Sequence, residues 1–335
     1  MRPRPSPRSG PVASRLTLAL VLIATGGWAG VVRVPADAAS IGQALAGAQP
    51  GDTILVACGT YAEGNLSVPS GVTVRSEDGD PDCVTIDADG ATPAFVLEGT
   101  GPTTLLEGLT IRNGATATNG GGVVCLGGAP TLRRCRFLNC RAEGDGGALY
   151  LFESAPLVEE CELIGNTSAG GSGGAVTSRQ SNAVLRHCIM SGNAAAGWGG
   201  AVYASGPNAP RLDKCEVTAN RAYYGGGLAA NGAAMVLDRV MIRDNRATDL
   251  GGGVYLAFGA NLDAAWCEWS GNAAPTGKDV LVQGGCSASF NCCRLDPSTV
   301  AGGGTVVFHH IGCEVGNSLL RWGTLKSRYI MRISQ

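Results

Sequence analysis

The sequence predicts an all-β fold, a single-stranded right-handed parallel β-helix solenoid with a short N-terminal capping helix. Three observations predict it: a fixed repeat, β-type alternation within each repeat, and glycines placed in pairs at one point of it. Glycine makes up 52 of the 335 residues, roughly double the usual share. The glycines come in pairs and triplets rather than at every third position, which excludes a collagen-like chain. Net charge is −2, so no basic field argues for nucleic acid.

The repeat is read first from the glycines. GGGV ends at Val123, GGAL at Leu149, GGAV at Val176 and Val202, GGGL at Leu228 and GGGV at Val254, in steps of 26, 27, 26, 26 and 26 residues. A fixed period of this size marks stacked supersecondary units. Cys135, Cys161, Cys188, Cys215, Val240 and Cys267 recur in the second half of the unit. Two residues beyond each stands Phe137, Leu163, Met190, Val217, Ile242 or Trp269. Three further on stand Cys140, Asn166, Asn193, Asn220, Asn245 and Asn272. The units hold short β-type runs between turn residues and no helical period, which excludes the helical repeats. A propeller blade needs about 40 residues. One coil of three short strands and three turns fits the length, with coils stacked about 4.8 Å apart.

That geometry assigns roles. The aliphatic after each glycine pair points inward, and the residue two later (Cys125, Leu151, Ser178, Ala204, Ala230, Leu256) shares its face. The cysteines form a second inward column as compact hydrophobes. The Asn residues form a ladder at a turn, tolerating left-handed backbone. The glycines supply positive φ at the corner.

The chain divides at about residues 29 and 315. Residues 1–29 read as a signal peptide: Arg2, Arg4, Arg8 and Arg15 precede the apolar run LTLALVLIAT, and a small-residue site follows at Gly27-Trp28-Ala29. The mature chain is then exported, extracellular or at the cell surface, with no membrane-spanning segment. Residues 30–315 form the β-helix. Within them Ser40 N-caps a short helix over residues 40–48 that covers the open end of the first coil. The runs TILVA, GVTVRS, CVTIDA and LLEGLTIRNG lead into the regular units. Cys58 and Cys83 lie one coil apart and are candidates for a disulfide. The cysteine count, 13, is odd, so at least one thiol is left over unless two chains pair. KDVLVQG and GTVVFHHIG continue the strands, and Cys286, Cys292, Cys293 and Cys313 gather there. Residues 316–335 match nothing upstream and read as an irregular tail.

These residues resemble a known family. GGAL, GGAV, GGAV, GGGL and GGGV, followed by FLNC, LIGN, MSGN, VTAN, IRDN and WSGN, look like the GGA[ILV]/FxxN repeats of polymorphic outer-membrane proteins. VPADAASIGQALAGAQPGDTILVACGTYAEG looks like the opening of many bacterial β-helix proteins of the pectin-lyase-like superfamily. The first resemblance implies an adhesin-like surface protein, of which this chain has room only for the passenger part. The second implies a right-handed coil, as does the handedness of parallel crossovers, and it raises polysaccharide lyase or glycoside hydrolase chemistry.

The hydrolase signatures NTD, DD, GHG and RIK do not occur. Outward positions after the glycine pair are Tyr150, Thr177, Tyr203, Ala229 and Tyr255, with no carboxylate. The next strand presents Arg134, Glu160, His187, Lys214 and Arg239, and then Arg136, Glu162, Ile189, Glu216, Met241 and Glu268. Arg134 with Glu160 and Arg136 with Glu162 read as surface charge ladders. Glu162 or Glu216 as a general base needs a paired acid. His309 and His310 point to opposite faces of a strand, against a metal site there. No cofactor is called for. The one metal candidate is calcium at Asp78, Asp80 and Asp82 in EDGDPDC, where a solvated turn is the ordinary reading.

The remaining candidates are aromatic. Tyr150, Tyr203 and Tyr255 recur at every second coil, about 10 Å apart on one outer face. Trp198, Tyr223 and Tyr224 stand at the corner before the glycines. Flat rings with polar handles suit a carbohydrate or a surface protein. The expected function is therefore a non-catalytic, adhesin-like binder acting along its side. The alternatives are an enzyme of the pectin-lyase-like kind and a rigid scaffold.

Overall fold

Each repeat closes into one coil because four left-handed bends fall at fixed places in it. In the coil beginning at Gly199 these are Gly199 (φ +65°), Gly206 (+91°), Lys214 (+51°) and Ala219 (+54°). Between them run the strands Val202–Ser205, Arg211–Asp213, Glu216–Thr218 and Arg221–Tyr224. The computed structural model describes residues 29–208 and 210–309, and the backbone of the strand Tyr329–Arg332. The expected signal peptide up to residue 28, His310, Cys313 and the rest of the tail lie outside the described residues.

Strands of successive coils pair in parallel and form four sheets, of thirteen, ten, nine and six strands. The exception is Tyr329–Arg332, which runs antiparallel to Thr305–His309 at the end of the thirteen-stranded sheet. The coil thus has four strands rather than the expected three. The fourth is the short segment between the Asn column and the glycine corner, as in Arg141–Ala142 and Thr167–Ser168. Its backbone groups pair along the stack instead of being left bare.

The columns foreseen from the repeat stand in register. Val123, Leu149, Val176, Val202, Leu228 and Val254 succeed one another in the ten-stranded sheet, all fully buried. Phe137, Leu163, Met190, Val217, Ile242 and Trp269 do the same in the nine-stranded sheet. The cysteine column is buried, and its thiols do more than fill space. Cys161 Sγ donates to Leu132 O (3.5 Å) and Glu159 O (3.3 Å), and Cys188 Sγ to Val158 O and Arg186 O (both 3.3 Å). Each of these two thiols therefore lies within hydrogen-bonding reach of a carbonyl on its own coil and of one on the coil before.

The Asn ladder is present, but its backbone role differs from the expectation. Asn193 Oδ1 accepts from Asn166 N (2.9 Å) and Asn166 Nδ2 (3.0 Å), while Asn166 Nδ2 also donates to Phe137 O (3.0 Å). The left-handed residue is the one before each Asn, namely Gly165, Gly192, Ala219, Asp244 or Gly271. With the bend made one residue earlier, the Asn amide group is free to lie along the helix axis. The ladder ends where Asn272 Nδ2 donates to Asp279 Oδ1 (2.8 Å). Both glycines of the pair are required by close backbone approach, and one also by conformation: Gly199 has φ +65° and a Cβ on it would sit 2.2 Å from Val202 O, while a Cβ on Gly200 would sit 2.2 Å from Gly226 O.

At the N-terminal end the helix Ile41–Gly47 buries Ile41, Ala44 and Leu45. Ser40 Oγ accepts from Gln43 N (3.1 Å). Glu63, one strand away, accepts from Ile41 N (2.9 Å) and Gly42 N (2.8 Å). These bonds satisfy amides that the first helical turn leaves open. Cys58 and Cys83 form a disulfide that ties neighbouring coils here. No helix among the described residues is long and apolar enough to cross a membrane.

Candidate ligand-binding surface

The residue after each inward aliphatic of the ten-stranded sheet points out, and Tyr150, Thr177, Tyr203, Ala229 and Tyr255 form one outer column. The expected open tyrosine ladder is not open. Tyr150 is 8% exposed and Tyr255 only 2%; Tyr203 is half-buried. For Tyr203 and Tyr255 the cause is the corner before the glycines, whereas Tyr150 stacks beside Phe152 at 6.4 Å. Trp198, Tyr224 and Leu250 leave the narrow fourth sheet and fold over the outer face of the strand, making a small second core with Ala229, Tyr255 and Leu281.

Trp198 organises this cluster. Its ring centroid lies 4.9 Å from Tyr255, 5.5 Å from Tyr224 and 6.0 Å from Tyr203, all edge-on. Tyr224 stacks on Tyr255 at 5.0 Å. These are favourable ring geometries, and they hold the cluster in one arrangement. Gln283 Nε2 donates to Tyr255 Oη (2.5 Å) and Asn231 Nδ2 to Tyr203 Oη (3.3 Å). Burial, with Tyr224, Cys286 and Asp249 nearby, pushes the Tyr255 phenol up to about 12. Tyr255 is therefore a neutral structural group.

What the cluster offers to a partner is its rim. Tyr223 packs edge-on against Tyr224 at 4.6 Å and is 45% exposed. Phe258 stacks on Trp198 at 6.1 Å and is 70% exposed. Sequence reasoning missed Phe258. It stands at a bend (φ +56°) where other coils place Glu153, Gln180 or glycine. The available signal was that a bend position, once aligned, held a large ring.

The charge column on the outside of the thirteen-stranded sheet was missed, although several of its strands were expected. The column runs Glu107, Arg133, Glu159, Arg186, Asp213 and Asp238. Arg186 lies 3.2 Å from Glu159 and 3.5 Å from Asp213; Arg211 lies 3.2 Å from Asp238. Arg134 sits at a bend and pairs with Glu107, not with Glu160 as expected, because the left-handed turn aims it toward the thirteen-stranded sheet. Burial acts to raise the Glu107 carboxyl, but Arg134 and Arg133 outweigh it and hold it below the usual carboxylate range. Arg136 does pair with Glu162 (3.1 Å).

The aspartates of EDGDPDC are exposed and occupied locally. Asp78 accepts from Asp80 N and Asp80 from Asp82 N (2.9 Å each), and Asp82 pairs with Arg136. Among the described residues the one cluster of close potential ligand atoms is Cys58, Asp78 and Cys83. Its two sulfurs are bonded to each other. His187 stands alone at a bend, and His309 lies on the last parallel strand.

A family model for the right handed beta helix region matches residues 84–239. That match and the in-register parallel pairing of every regular coil decide the architecture. This chain is a right-handed parallel β-helix. The β-helix matches no curated protein and no solved structure, so its surface chemistry has to be read from its own residues.

Proposed function

We propose that this β-helix is a non-catalytic, adhesin-like binding rod that takes a carbohydrate along its side. The observation that carries the reading is the exposed rim of the aromatic cluster. Phe258 and Tyr223 present large apolar area to water while Trp198 supports Phe258 and Tyr224 supports Tyr223 from beneath. Aromatic area that loses little freedom on binding is the economical way to hold the apolar face of a sugar ring. An exported location and a cell-surface setting accompany this proposal, as the N-terminal sequence suggests. A second reading is an enzyme acting on polysaccharides, as the fold of the pectin-lyase-like superfamily allows. The observation that favours it is the set of outward carboxylates Asp213, Asp238 and Asp263 on three successive coils.

A glycan array probed with the mature chain, with released reducing and unsaturated sugar assayed on every hit, separates the two. The expected result is binding without turnover, weakened about tenfold or more by Phe258→Ala with Tyr223→Ala. Unchanged binding in that double variant would remove the aromatic rim from the account. Turnover would put the enzyme reading first.

A further inference from the structure

The coil from Gly251 to Asn272 departs from its neighbours at two bends. Phe258 and Trp266 both have φ of +56°, a conformation in which bulky residues carry a steric cost. The same bend as Trp266 holds Arg134, Glu160, His187, Lys214, Arg239 and Cys292 in other coils. Neither ring is used to fill the core: Phe258 is 70% and Trp266 39% exposed. Filling of the core therefore does not account for either choice, although Phe258 stacks on Trp198, and backbone preference argues against both.

Between these two rings lies the outer face of the strand Asn261–Ala265, with Asn261 and Asp263 exposed on it. Beside Trp266 a cleft of about 290 Å³ opens, lined by Arg211, Val236, Asp238, Arg239, Asp263 and Trp266. Asp238 is shared by Arg211 (3.2 Å) and Arg239 (3.7 Å). Asp263 forms no ion pair among the described residues. Two guanidiniums and two carboxylates cancel, so neither a cation nor an anion gains from the net charge of the cleft. What it offers is donors and acceptors in alternation beside one indole face.

We infer that this cleft is a subsite for an uncharged, hydroxyl-rich sugar residue, and that the ligand runs along the strand from Phe258 to Trp266. Sugar hydroxyls donate to Asp263 and Asp238 and accept from Arg211 and Arg239, while the ring's C–H face lies on Trp266. Phe258 and Trp266 are eight residues apart, a path of at most about 29 Å along extended chain. That path selects an oligosaccharide over a single sugar. The inference rests on the carbohydrate reading above. It adds a second contact point, a preference for neutral chains and a dependence on length.

The test is an array of neutral and uronic-acid oligosaccharides of graded length, probed with the wild-type chain and four variants. Trp266→Asn suits the left-handed bend and removes the indole; Asp263→Asn keeps the shape and removes the charge. Phe258→Ala probes the rim, and Ile189→Ser, an exposed residue on the nine-stranded sheet, is the control. Matching melting curves establish that each variant is folded. Expected are neutral chains bound more tightly as they lengthen, and losses of about tenfold on long chains in Trp266→Asn and of several-fold in Asp263→Asn. Losses below twofold in both, with Phe258→Ala abolishing binding, would overturn the subsite and leave the carbohydrate reading standing. A wild-type preference for the uronic chains would overturn the neutral class. No binding to any glycan would overturn the carbohydrate reading and this inference with it.

Discussion

Single side chains in this protein do work that a larger core would spread over many. Asn220 is an example. Its Oδ1 accepts from Asn193 N (2.9 Å) and Nδ2 (3.0 Å), and its Nδ2 donates to Met190 O (2.9 Å) and Asn245 Oδ1 (3.0 Å). All four partners lie in the buried interior. Replacing Asn220 by Ala removes one group and strands polar atoms on two neighbouring coils. A buried group left without a partner costs about 1–3 kcal/mol, so Asn220→Ala is expected to destabilise by about 3 kcal/mol. The midpoint of urea unfolding reads this directly. A loss under about 1 kcal/mol would mean that water enters the corner and takes over the bonds.

At the scale of the coil, glycines recur along the stack for different reasons, and substitution tells two of them apart, the bend glycine Gly192 and the corner glycine Gly200. Gly192 adopts φ +65° with open space around a notional Cβ, whereas at Gly200 the Cβ would meet Gly226 O at 2.2 Å and Arg221 N at 2.6 Å. Gly192→Ala should cost about 1 kcal/mol, the left-handed penalty alone. Gly200→Ala must push two coils apart and should cost more than about 3 kcal/mol. Thermal melts of the two variants give the comparison; equal losses would refute the close-approach explanation. The same distinction explains what could be read beforehand. Positions that recur once per coil were legible, because stacking makes one residue's environment the environment of all: the aliphatic, cysteine and Asn columns followed from the sequence, and the Ser40 cap followed from local helix chemistry. The fourth strand was not legible, since two residues carry no period. The burial of Tyr255 depends on how Trp198, Tyr224 and Leu250 fold back over the sheet, which no alternation pattern encodes. Phe258 and Trp266 were missed for the same reason in another form, being departures from the repeat rather than instances of it.

Over the whole molecule, stacking turns one residue choice into a property of the rod. A solenoid gains stability coil by coil, so groups whose titration is shifted in several coils add their effects. Some of the buried thiols are such groups. Burial pushes Cys125 up to about 11 and Cys140 up to about 12 from an ordinary 9.0, and holds Cys161 well above that value. In the unfolded chain these thiols ionise near the ordinary value. Between about pH 9 and the raised values the folded state therefore binds more protons than the unfolded one. Their contribution is fully present below about pH 9 and is lost as pH rises, at about 1.4 kcal/mol per pH unit for each such thiol. Tyr255, raised to about 12, adds to the loss only above the ordinary tyrosine range. The rod should accordingly lose stability steeply in mild alkali while changing little between neutral pH and about pH 8. Urea midpoints measured across this range check the slope, and Cys161→Val assigns it, since Val240 already occupies that column in another coil. The variant should unfold with a slope shallower by one thiol. An unchanged slope would place the alkaline transition in groups other than the cysteine column.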